Sequence, residues 1–101
     1  MAYHSSDFEA AIGAAAGADE ALQAELKAAF AQSVARQADL LGRARCDGNW
    51  LVAAERLEGL AASFHALELK EMAREALEGA PGDPSIVARI RRFGEEVVFH
   101  D

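Results

Sequence analysis

Residues 53–66 read AAERLEGLAASFHA, and their periodicity decides the fold. With Leu57 as reference and 100° per residue, Trp50, Ala53, Ala54, Leu60, Ala61 and Phe64 all fall within about 60° of it. A stripe of that width belongs to an amphipathic helix packed on one side. Val52, Glu55, Gly59 and Ala62 lie more than about 130° away, and Glu58 stands at roughly 100°. Gly59 is therefore a glycine on the solvent face of a helix interior, where it costs roughly 1 kcal/mol relative to alanine. Two readings fit it. Either an external body approaches the backbone there, or a small domain tolerates one surface glycine.

Working outward, the remaining sequence is divided by its own punctuation. In residues 7–16, Phe8, Ala11, Ile12 and Ala15 stand at helical spacing, with Gly13 weakening the pattern. After the break at Gly17, Asp19 reads as an N-cap, and a long helix runs to about residue 45. Leu22, Leu26, Phe30, Val34, Leu40 and Leu41 supply its apolar stripe. CDGN (46–49) reads as a turn with Asn49 capping the next helix, which covers about 50–64. A fourth helix, about 67–77, contains Met72 as a core residue and stops at GAPGDP (79–84). Asp83 followed by Pro84 is an N-cap and first-turn proline opening a fifth helix with Ile86, Ile90, Phe93 and Val97. Four amphipathic helices with short loops predict an all-α fold: an antiparallel up-and-down four-helix bundle with an additional short N-terminal helix, one domain over 1–101.

Composition narrows the function. Seventeen acidic residues against ten basic ones give a net charge of −7. With no basic stripe interleaved with aromatics, that charge argues against nucleic acid or an anionic membrane surface as partner. Arg89, Arg91 and Arg92 form the one basic cluster and read as solvated helix charges. The lone Cys46 allows no intrachain disulfide and reads as a small structural residue. No apolar run is long enough to span a membrane and no signal-peptide pattern opens the chain, so a cytoplasmic protein is expected. His4, His65 and His100 are too scattered for a metal site, and no phosphate loop or nucleophile motif occurs, so no metal or cofactor is expected. Glu55 and Glu58 could be paired carboxylates, but nothing predicts an apolar pocket around them, and they read as surface charge.

The stretch 53–66 resembles the signature helix of histidine phosphotransfer (HPt) domains, which carry phosphoryl groups between receiver domains in bacterial phosphorelays. Leu57, Gly59, Ala61, Ala62, Ser63, Phe64 and Ala66 agree with that signature, and CDGNW is similar to the family's Gly-Asp-Trp lead-in. The likeness covers roughly residues 20–80, and the family's antiparallel four-helix bundle agrees with the fold argued above. Three positions depart from the family. Glu55 stands where the phosphorylated histidine would be. An imidazole accepts and passes on a phosphoryl group at neutral pH, whereas a carboxylate would form only an acyl phosphate. Glu58 stands where a lysine would support the phosphate, so a cation has become an anion. Trp50 lies nearer to Glu55 than is usual for the family, which suggests a shortened helix start.

The resemblance thus implies a non-phosphorylatable HPt-like module rather than an enzyme. Its partner would be a response-regulator receiver domain or a histidine kinase, docking over Val52, Glu55, Glu58, Gly59 and Ala62. A second reading is a helical scaffold or homo-oligomer using apolar flank residues such as Leu51. A third is active phosphotransfer through His65, which occupies a position where the family usually has glycine and has Glu68, not a cation, three residues on. More simply, His65 is a half-buried junction residue or a cap, and His4 and His100 are solvated.

Overall fold

The computed structural model describes residues 6–99, so the expectations for His4 and His100 lie outside the described residues. Five helices follow one another: α1 (Ser6–Ala16), α2 (Glu20–Arg43), α3 (Asp47–Phe64), α4 (Leu67–Glu78) and α5 (Pro84–Phe99). Helices α2 to α5 form a closed ring in which each packs on its neighbours in sequence and α5 returns to α2. The all-α bundle read from periodicity is what the chain adopts. The extents of 43 × 23 × 18 Å follow from the 24 residues of α2, which at 1.5 Å per residue span about 36 Å. Helix α1 lies against α2 and α3.

Two caps hold as expected. The Leu22 amide donates to Asp19 Oδ1 (3.1 Å), and the Ser85 amide and hydroxyl donate to Asp83 Oδ1 (2.9 and 2.8 Å). The third expected cap is corrected. Helix α3 starts at Asp47, so DGN is its first turn, Cys46 occupies the cap position without a side-chain bond, and no shortened start exists. An aspartate in the first turn favours that earlier start by facing the positive end of the helix dipole. Cys46 is exposed rather than packed.

Among the described residues, no polar or charged residue is buried in the core. At one end Phe30 is the hub of an aromatic cluster, with ring centroids 5.0 Å from Phe8, 4.7 Å from Phe64 and 6.3 Å from Phe93. At the other end Trp50 is buried, and its indole N–H donates to the Ala76 carbonyl (2.8 Å) in the last turn of α4. Met72 is buried as expected. Helices α2 and α5 approach closely because glycines stand at the contact. A Cβ on Gly94 would meet Val34 Cγ1 at 3.1 Å, and one on Gly42 would meet Val87 Cγ1 at 3.2 Å. As numbers rise along α2 they fall along α5, so the two helices are antiparallel.

Leu22 and Leu40, expected in the core stripe, are instead 44% and 41% exposed. Both lie about 120° from Val34 on the α2 wheel, outside the buried arc. The arginines of α5 are exposed, as expected of solvated helix charges, and two of them also form ion pairs between helices. Arg89 makes a two-pronged pair with Glu75 of α4 (2.9 and 3.0 Å), and Arg91 reaches Asp39 of α2 (3.6 Å). The hydrogen bonds from Arg89 hold the Glu75 carboxyl below its ordinary range.

Candidate functional site

The outward face of α3 is built by the same periodicity that buries its other side. Leu57, Ala54 and Ala61 turn fully inward, which leaves Val52, Glu55, Gly59 and Ala62 exposed along one line. A Cβ built on Gly59 meets nothing within 4 Å, so no packing inside this chain requires a glycine there. Gly59→Ala is accordingly expected to stabilise the fold by about 0.5–1 kcal/mol, seen as a raised midpoint in thermal or urea unfolding. A lowered midpoint would reveal a contact that the helix geometry does not contain.

Glu58 stands apart from its four companions. It is half-buried on the α4 side, where Arg74 Nη1 donates to its Oε2 (3.2 Å) while Nη2 lies 3.8 Å from Glu78. The anion at 58 therefore has a structural task, tying α3 to α4, that a lysine would turn into repulsion against Arg74. Glu55 is exposed and enters no ion pair among the described residues.

Sequence reasoning missed what borders this face. A depression of about 320 Å³ between the end of α2 and the start of α3 is lined by Leu40, Arg43, Asn49, Val52 and Arg56. Leu40 and Val52, both large, apolar and exposed, line it together with two arginines. The signal for Leu40 was available in its wheel angle; that for the depression shared with Val52 was not, since it depends on the register between two helices.

His65 sits at the α3–α4 corner rather than on the face. It adopts the left-handed conformation (φ 55°, ψ 38°), in which its amide bonds to the Ala62 carbonyl (3.3 Å) and the Ala66 amide to that of Ala61 (2.8 Å). That is the Schellman arrangement, usually served by glycine. The cap expectation stands; the half-buried one does not, because His65 is exposed.

A second concave region, about 360 Å³, separates α4 from α5 and is lined by Glu68, Glu71, Glu75 and Glu96 with Arg89 and Arg92. Partial burial, then the neighbouring Glu96 and Glu71, push the Glu68 carboxyl above its ordinary range. Among the described residues no group of three or more His, Cys, Asp or Glu is placed to hold a metal ion, and no helix is long and apolar enough to cross a membrane. Comparison of the chain with protein-family models, with curated proteins and with solved structures returns no match.

Proposed function

We propose that the protein is a non-phosphorylatable HPt-like binding module that docks a receiver domain or histidine kinase of a two-component system through the outer face of α3. The observation that carries this reading is Gly59. It keeps an unfavourable residue in open space, on a line with the exposed Val52 and Ala62, where a partner's backbone or side chains can approach the helix closely. Glu55, the nearest exposed charge on that line, presents a carboxylate where the signature calls for a phosphoacceptor. It imitates the sign of a phosphohistidine with less charge. Glu58 contributes to the face only at its edge, being held by Arg74. In this reading the protein makes contact with the signalling partner and transfers nothing, and it works in the cytoplasm.

The test is titration of the native chain with receiver domains of bacterial two-component systems, run beside phosphotransfer from the same domains in phosphorylated form. Binding without acid-labile phosphate on the native chain is the expected result, together with label on the Glu55→His, Glu58→Lys double variant. Gly59→Arg is expected to weaken the complex by about tenfold or more, because a long side chain fills the approach. The reading fails if no receiver or kinase domain binds, or if Gly59→Arg leaves the complex intact. It fails too if the native chain becomes labelled; loss of that label in His65→Ala would then identify the corner histidine as the acceptor.

A further inference from the structure

We propose that the protein forms a two-fold symmetric dimer through the outer face of α5 and the groove this helix makes with α2. The groove, about 410 Å³, has a floor of small side chains, Ala28, Ala31 and Ala35 from α2 with Gly94 from α5, and Val98 stands at its edge. Val98 is 47% exposed, an apolar side chain only half covered by its own chain. Gly94 lets the two helices approach closely, so the groove stays shallow between them, and Gln32, Arg91 and Glu95 are the long side chains that line it.

The occupant is identified by the order of residues along α5. Ala88, Arg91, Glu95 and Val98 are all exposed and spaced i, i+3, i+7, i+10, one continuous stripe. Their pattern is small apolar, cation, anion, apolar. Laid antiparallel on a copy of itself about residue 93, it pairs Arg91 with Glu95 of the second copy and Glu95 with its Arg91. Ala88 meets Val98 in the same register, once at each end. An isologous interface requires that kind of self-complementarity, since each contact occurs twice. A chain with net charge −7 should repel its own copy, and the alternating pair supplies local attraction where the two helices would meet. Within the chain, Asp39 lies 3.6 Å from Arg91 and 2.9 Å from Arg43, so it is shared between two cations and leaves Arg91 able to face a second carboxylate. The surface is separate from the α3 face, so a dimer would present two of those faces and does not depend on what binds them.

Sedimentation equilibrium and light scattering on the native chain, from about 10 μM to about 1 mM, test the proposal. The weight-average mass should rise with concentration from 10.8 kDa toward twice that value. Glu95→Arg places arginine opposite arginine at both symmetric contacts and is expected to raise the dimer dissociation constant about tenfold or more. Arg91→Glu should act likewise, while the double reversal, Arg91→Glu with Glu95→Arg, should return it to within about threefold of native. Val98→Asp removes the apolar contact without touching the Asp39 pair and should also yield monomer, with circular dichroism confirming that each variant is folded. A mass that stays at 10.8 kDa across the range overturns the proposal. A dimer indifferent to Glu95→Arg, or a double reversal that fails to restore it, overturns it as well, the former by placing the contact elsewhere, for instance at Leu51.

Discussion

Phe30→Ala is expected to remove about 3–5 kcal/mol of stability, a large part of the roughly 5–15 kcal/mol available to a domain of this size. The ring is 1% exposed and touches rings from three other helices, α1 through Phe8, α3 through Phe64 and α5 through Phe93. No neighbour can collapse into the space left behind without breaking its own packing, so the cavity term adds to the lost transfer energy. Helix α1 should suffer most, because Phe8 and Ile12 are its principal buried side chains and Phe8 packs directly on Phe30. Urea unfolding followed by circular dichroism measures the loss, and partial loss of helicity before the main transition would report α1 leaving the bundle. A cost below about 1 kcal/mol would mean that the ring is not the hub it is described as.

The second large effect concerns the opposite end. Trp50→Phe keeps an aromatic ring but deletes the indole N–H that satisfies the Ala76 carbonyl. That carbonyl lies in the last turn of α4, where helices have no internal donors left to offer. A buried acceptor without a partner costs about 1–3 kcal/mol, and the smaller ring leaves a void, so a total of about 2–4 kcal/mol is expected. Trp50→Ala should cost more, about 3–5 kcal/mol. Comparing the two separates the hydrogen bond from the packing: if Trp50→Phe is within about 0.5 kcal/mol of native, the bond to Ala76 contributes little. Trp50 is the one tryptophan, so in the Phe30→Ala protein its fluorescence follows the end of the bundle that was not mutated.

Helices announced themselves in the sequence because one-sided burial has a period, and the stripe around Leu57 needed no partner to be recognised. Caps at Asp19 and Asp83 were legible because a carboxylate that accepts an amide is local chemistry. Cys46 makes no such bond, and Asn49 drew the boundary of α3 three residues too late. Leu22 and Leu40 show that residue type alone misleads: both are leucines in an apolar stripe, yet their wheel angles lie outside the buried arc. The pairs Glu58–Arg74, Glu75–Arg89 and Asp39–Arg91 depend on how one helix slides along another, which no single-helix pattern contains. The candidate site was therefore half visible: its exposed line along α3 was, and its border on α2 and the anchoring of Glu58 on α4 were not.

The corner at His65 and Ala66 carries a consequence for recognition. Both of its amides are bonded back into α3, and the next residue already begins α4. Such a connection has no slack and therefore no hinge. If a partner docks on α3 as proposed, this corner adds no hinge to that step, and the α3–α4 connection itself needs no ordering on contact.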